Sequence, residues 1–529
     1  MPIDPNNVDT EAALPAPGLT QARERFAWNV LSNAAYIGAQ AFVTLWMTSY
    51  LIGYLGLAAY AMIPLTQNIV AYTSILTSAL NTAVTRFLTI ELEQNQMVRA
   101  NKTFNTALFS VIGLFFLLTP AILVIALAFP QIFNIPAGWE QDASWLFIIT
   151  AVTFFLSVAG GVFSVSTFVY SEFVKFNLVN FVGLISRALS LVLLFSLFSP
   201  RIWYAGASAF LAAAVTLLGY LALWRQLTPG LKIASSSFDR TQFKEQFSMG
   251  GWMVVNMVGA LLLSRADLLV VNAFYGAATT GGYASLVQFT LFMEYLVTAA
   301  GNVVRPVILI KYAQEDFAGL RVLCIQAVKL LGFGMALPIG LLCGFSKPFL
   351  SLWLGPSFVY LGTLMVVILI HQALNYSVRP MLFVQTAYNK VRWPGIVTLI
   401  CGIASVVLGI FFAVWDLWGV IGVAFAVGLT WTVKNALYMP LYTAHIMKLK
   451  WWTFFPSLAA SIFGTLLVVF LTYASTLLVM PDTWIELAVL GGMVSIVYAA
   501  VVWFVGLSRN ERSLVTGLVG LRRASQAST

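Results

Sequence analysis

Charged side chains are scarce in this chain. Lys, Arg, Asp and Glu make up 9% of its 529 residues, where a soluble globular domain carries about 25%. Together with a mean hydropathy of +0.90, that shortage excludes a soluble domain and defines a polytopic membrane protein. Histidine occurs only as His371 and His445, and neither sits in a motif. No catalytic constellation is therefore expected, and the chain reads as something other than an enzyme. Cysteine is limited to Cys324, Cys343 and Cys401, all in or beside apolar runs and without CxxC spacing. Such a scattered, odd set gives neither a disulfide framework nor a metal site. The stretch from Met1 to Arg25 is polar and Pro-rich, with no apolar core before a small-residue cleavage site. No cleaved signal peptide is expected.

Long apolar runs, by contrast, fill the chain. Segments of spanning length fall at about 26–51, 56–81, 104–129, 144–169, 178–199 and 202–224. After the polar segment Arg225 to Gln246, others lie at about 247–275, 281–304, 322–345, 358–384, 395–415 and 418–443, with two more at 453–478 and 485–507. The expected fold is all-α, with 14 transmembrane helices. Its divisions are an N-terminal tail (1–25), an N-lobe (26–224), a linker (225–246), a C-lobe (247–443), two additional spans (444–507) and a basic tail (508–529).

The distribution of charge supports this count. Lys and Arg gather in alternate loops: Arg23 and Arg25; Arg86, Arg99 and Lys102; Lys175; Arg225, Lys232, Arg240 and Lys244. The series continues with Arg305, Lys311 and Arg321; Lys390 and Arg392; Lys448 and Lys450; and a tail holding Arg509, Arg512, Arg522 and Arg523. The opposite loops hold only Arg201 and Lys347 among acids such as Glu140, Asp142, Asp416, Asp482 and Glu486. By the positive-inside rule both termini are cytoplasmic, so the net charge of +9 has a topological origin and no nucleic-acid partner is expected.

The two halves resemble each other. Asn33 and Tyr60 recur as Asn256 and Tyr283, both offset by 223. The stretch from Ala79 to Arg86 resembles that from Ala300 to Arg305 with a two-residue gap, and Lys175 aligns with Lys390. The outer loops 129–140 and 345–357 both set Pro and Trp among aliphatics. A duplicated six-span unit places both halves in the same orientation, related by an axis along the membrane normal, with the substrate site between them.

Five cations lie within spans: Arg187, Arg265, Lys329, Arg379 and Lys434. A charge at the bilayer centre costs about 3 kcal/mol or more, so it normally faces a bundle interior or a wet cavity. Lys329 and Lys434 are close enough to a span end to snorkel. For Arg379, followed by Pro380, snorkelling and cavity lining both fit. Arg187 is near the middle of its span with no acid in any N-lobe span; it reads as an anion ligand or as an Arg paired with carbonyls or a C-lobe acid. Arg265 and Asp267, two residues apart, point to different helix faces, and Glu294 is the only other core acid. Arg265 paired with Glu294 is the structural alternative. Five cations against two acids leave an excess that a phosphate or diphosphate fits well. Pro64 and Pro338 are expected to interrupt their helices.

Fourteen spans, two six-span lobes and the membrane-embedded stretch SRADLLVVNAFYGAATTGGYAS resemble the polysaccharide and oligosaccharide flippases of the multidrug/oligosaccharidyl-lipid/polysaccharide (MOP) exporter superfamily. NTAVTRFLTIELEQNQ and the loops holding Lys175 and Lys390 are similar too. The resemblance implies outward movement, by alternating access, of an undecaprenyl-diphosphate-linked oligosaccharide across the inner membrane. It implies membrane lipids and a polysaccharide polymerase or export machinery as partners. No cofactor is implied; a proton or sodium gradient or the membrane potential would drive the cycle. Arg187, Arg265 and Arg379 are then candidate diphosphate ligands, Asp267 and Glu294 coupling or cavity acids, and Asn33, Tyr60, Asn256 and Tyr283 sugar contacts. For those four, helix packing and interface anchoring is the alternative reading. Competing functions are a multidrug/cation antiporter, disfavoured by the lack of N-lobe acids, and a peptidoglycan-precursor flippase, whose Arg-Asp pair in span one is missing here.

Overall fold

A computed structural model describes residues 19–243 and 251–513. The tail before residue 19, the stretch 244–250 with Lys244, and the tail beyond 513 with Arg522 and Arg523 lie outside the described residues. So do the side chains of Arg23, Arg25, Asn81 and Arg86.

The chain is built of helices. The first half comprises α1 (Leu19–Tyr60), α2 (Met62–Ala71), α3 (Ser74–Glu93), α4 (Met97–Ile132), α5 (Glu140–Val169), α6 (Phe173–Leu197) and α7 (Trp203–Leu227). The second begins with α8 (Gly251–Ala313) and continues through α9 (Phe317–Gly344), α10 (Ser346–Trp353), α11 (Gly362–Leu369), α12 (Gln372–Ser377) and α13 (Arg379–Ala387). Then follow α14 (Arg392–Val414), α15 (Val420–Thr432), a π-helical turn (Val433–Tyr438) and α16 (Met439–Ile446). Two further helices, α17 (Phe455–Leu478) and α18 (Trp484–Val501), complete the fold. Within the first lobe α5 and α6 pack on α7, and in the second α14 packs on α8. The lobes meet chiefly where α1 and α2 lie against α8.

Among the described residues, twelve helices are long and apolar enough to cross a membrane, against the fourteen runs expected. The difference has two sources. The 63 residues of α8 measure about 95 Å at ~1.5 Å per residue, three times a hydrocarbon core of ~30 Å. The helix reverses at Gly276, whose φ of 75° lies in the region glycine enters without strain, so the expected runs 247–275 and 281–304 are its two arms. The run expected at 56–81, in turn, is divided between α2 and α3. Pro64 has no N–H to give the Tyr60 carbonyl, and α1 ends at Tyr60. Pro338, by contrast, lies inside an uninterrupted α9.

Backbone conformation reveals the repeat more sharply than the side chains do. Positive φ angles occur at Gly56 and Gly276, at Asn95 and Glu315, at Gly138 and Gly355, and at Ser171 and Asn389. The offsets within these pairs are 220, 220, 217 and 218. Gly56 and Gly276 interrupt α1 and α8, Asn95, Glu315, Ser171 and Asn389 follow helix ends as left-handed residues do, and Gly138 and Gly355 lie in the loops 129–140 and 345–357. The offset of 223 for Asn33/Asn256 and Tyr60/Tyr283 is three too large, so those pairs are displaced by about one helical turn from true equivalence.

The linker is fastened to the first lobe. Asn101, Lys102, Thr103, Asn105 and Thr106 at the start of α4 hold it through hydrogen bonds to Gly230, Lys232, Ala234, Asp239 and Gln242. The Lys102 ammonium, 3.1 Å from Asp239, holds that carboxyl below its ordinary range, aided by the amides of Thr241 and Gln242.

Candidate functional site

Arg187 stands on α6 of the first lobe and Arg265 on α8 of the second. Both line one inter-lobe cavity of 160 Å³. The first lobe contributes Thr48, Tyr60, Asn68 and Arg187, and the second Arg265, Asp267 and Gln288. Among the described residues neither arginine forms an ion pair, and the buried Arg187 Nε has no hydrogen-bond partner. The alternative pairing of Arg265 with Glu294 is not formed.

Asp267, 9% exposed, lines this cavity alongside Arg265 despite the expectation that the two face apart. Its carboxylate accepts the Tyr283 hydroxyl at 2.7 Å and the Leu268 N–H at 2.9 Å, so dipoles rather than a cation satisfy it. A second, smaller chamber of 70 Å³ inside the second lobe is lined by Arg265, Asp267, Tyr283, Glu294 and His371. Thus Glu294, although exposed, shares a chamber with Asp267.

The remaining candidates are placed elsewhere. Tyr60 is buried in the inter-lobe cavity, and Tyr283 reaches the site through Asp267. Asn33 and Asn256 are exposed and line none of the cavities described; Arg379, half-buried at the head of α13, lines none either. Lys329 does not simply snorkel. Its ammonium meets Glu511 at 2.8 Å, which removes one cation from the uncompensated set. Lys434 lies 5.4 Å from the Trp431 ring centroid.

Sequence reasoning misses the amides that join the lobes. Gln288 Nε2 donates to the Tyr60 hydroxyl at 2.5 Å, and its Oε1 accepts from Thr48 at 2.9 Å. Asn68 Nδ2 donates to the Arg265 carbonyl at 2.6 Å. Each is an uncharged polar residue in an apolar run, the type that hydrogen-bonds across helices in membranes. Asn134 bonds Asn272, Ser49 bonds the Trp353 carbonyl, and the Trp353 indole bonds Leu45. Gly281 approaches the Leu57 carbonyl so closely that a Cβ would overlap it. Among the described residues, these side-chain bonds between lobes lie from mid-depth to the end away from the basic loops. The lobes are closed at that end.

Two lobes joined at one end thus enclose a cavity that holds two arginines without an ion pair among the described residues. The chain belongs to the polysaccharide biosynthesis protein family, whose profile matches residues 26–309. It is 28% identical over 491 residues to the "Uncharacterized membrane protein EpsK" of Bacillus subtilis (strain 168), covering 93% of this chain and 97% of that protein. In fold it is similar to the lipid II flippase MurJ in an inward closed conformation: TM-score 0.61, 15% identity, 89% of this chain and 98% of the other. An inward-facing multidrug resistance MATE transporter of the MOP superfamily gives a TM-score of 0.60 at 14% identity, covering 79% of this chain and 99% of the other.

Proposed function

We propose that the protein is a flippase carrying a polyprenyl-diphosphate-linked oligosaccharide from the cytoplasmic to the outer leaflet of the inner membrane, for polysaccharide assembly. The observation that carries this reading is the sharing of one inter-lobe cavity by Arg187 and Arg265, with no ion pair to either among the described residues. Two guanidinium groups facing one space repel each other unless an anion lies between them, and the guanidinium fork matches phosphate oxygens. By the positive-inside rule the basic loops are cytoplasmic, so the end closed by these inter-lobe bonds would face outward. A polymerase or export complex would take the product at the outer leaflet.

The membrane potential contributes about 2.3 kcal/mol per charge per 100 mV and favours outward movement of an anionic head group. Protonation of Asp267 or Glu294 would reset the empty carrier. A steady flipping rate after the potential is collapsed in vesicles would remove the first half of this scheme, and full turnover with both acids as amides would remove the second.

The central test uses Arg187→Ala and Arg265→Ala. Losing one charge-assisted bond of about 1.5–3 kcal/mol should slow flipping roughly tenfold to a hundredfold, with insertion unchanged. Wild-type flipping in the double variant would overturn the reading.

A further inference from the structure

Arg187 lines three spaces: the inter-lobe cavity, a chamber of 490 Å³ inside the first lobe, and a third space of 260 Å³. If its guanidinium holds a diphosphate, as proposed above, the first sugar is joined to that diphosphate by a single glycosidic oxygen. That sugar must therefore enter one of the three. The inter-lobe cavity is small, and it already holds the second arginine. The third space is walled largely by aliphatic and aromatic groups such as Ile63, Val70, Leu146 and Phe154, which offer a hydroxylated ring few partners.

The first-lobe chamber differs from both. Its volume of 490 Å³ lies within the ~300–1,000 Å³ of small-molecule sites. Apart from Arg187, every polar group lining it is a neutral hydroxyl or amide. Gln40 makes no hydrogen bond with another described residue, which leaves its carbonyl and both amide hydrogens for a ligand. The Ser157 hydroxyl donates to the Thr153 carbonyl at 2.9 Å and keeps its lone pairs free. Toward the basic end Phe176 stacks on Tyr220 at 5.5 Å, with Phe168 5.2 Å from Phe176. Phe176 and Arg187 are eleven residues apart on α6, so the chamber extends about 16 Å along the helix. Gly160 keeps it open beside Tyr220, whose ring lies 3.5 Å from where a Cβ would be.

Aromatic walls, neutral hydrogen-bonding groups and a single cation at one end suit an uncharged or N-acetylated pyranose whose anomeric oxygen carries phosphate. They do not suit a cation, for which there is no carboxylate. We propose that this first-lobe chamber binds the sugar next to the diphosphate, through Gln40 and Ser157. The 70 Å³ chamber of the second lobe differs in kind, holding Asp267 and Glu294.

The inference rests on the flippase reading, and two probes separate them. Full-length protein in nanodiscs is titrated with undecaprenyl diphosphate and with undecaprenyl-diphosphate-linked N-acetylglucosamine. Gln40→Leu combined with Ser157→Leu should weaken the glycosylated probe about tenfold, the loss of one or two hydrogen bonds. It should leave undecaprenyl diphosphate unchanged, which also certifies the fold. Arg187→Ala should weaken both probes alike. An unchanged ratio of the two affinities in the double variant overturns the sugar site and leaves the diphosphate reading standing. Failure of wild type to bind either probe overturns both.

Discussion

Gln288 of the second lobe donates to the hydroxyl of Tyr60 in the first, across a 2.5 Å hydrogen bond. The same side chain accepts from Thr48, so one amide joins two points on the opposite lobe. Both partners are almost fully buried, at 3% exposure each, and this clasp lies toward the closed end. A change of access must break it.

Gln288→Leu should therefore favour the alternate, outward-open arrangement. Removing the amide takes from Tyr60 its donor and from Thr48 one of two acceptors, the Thr44 carbonyl remaining, a penalty of about 1–3 kcal/mol for a buried polar group left unsatisfied. Water in the opened cavity would hydrate them, so the penalty falls on one conformation only. A shift of about 1.4 kcal/mol is tenfold in population. Distances between spin labels beside Gly56 in α1 and Gly276 in α8 should lengthen in a larger fraction of molecules. An unaltered distribution would count against the clasp.

Helix seams should be equally sensitive to size. α17 lies along α9 through glycines: a Cβ on Gly340 would sit 2.6 Å from Val468 Cβ, and one on Gly344 would overlap the Thr472 hydroxyl. Gly340→Leu should cost about 1–3 kcal/mol of overpacking and lower the thermal midpoint in detergent. At Gly491, where nothing lies within 4 Å, the same substitution should leave the midpoint near wild type.

Hydropathy and charge alternation make the polytopic architecture and the two arginines legible in the sequence, because burial energy is local to a run of residues. Depth along each span also separates Arg187 from the end-proximal lysines. Pairings across the fold are not legible. Lys329 reads as able to snorkel because its partner, Glu511, lies 182 residues away, and hydropathy carries no information at that range. Gln288 escapes notice because an uncharged amide costs little and leaves no gap in an apolar run. The Asn33/Asn256 and Tyr60/Tyr283 pairs come out three residues too far apart because Asn and Tyr recur by chance in apolar sequence. A left-handed turn, by contrast, is demanded by geometry at Gly56 and Gly276.

The strap formed by α4 can be tested on its own. Asn105 gives its amide to the Lys232 carbonyl at 2.8 Å and accepts the Ala234 N–H at 2.8 Å, while being fully buried. Asn105→Ala leaves two main-chain groups of the linker without that partner, about 1–3 kcal/mol. Cleavage by trypsin after Lys232 in inside-out vesicles should speed up several-fold. Asn101→Ala, which loses the contacts with Gly230 and Lys232, should act in the same direction.

Glu511 supplies a pH test. Burial alone would raise its pKa, but hydrogen bonds from Lys329 and from Ser508 outweigh that and hold it below the ordinary glutamate value. A group whose folded pKa is depressed contributes stability above its unfolded pKa and loses it as pH falls through the folded value. The Lys329–Glu511 contact should therefore support the fold at neutral pH and weaken only in acid, below the ordinary glutamate range. Glu511→Gln keeps the shape but cannot accept with full charge, so the variant should lose about 1–3 kcal/mol at pH 7 and converge on wild type in acid. Thermal midpoints across that pH range read both limbs. A constant difference between the two proteins at all pH values would show that the charge of Glu511 is not what binds the segment after α18 to α9.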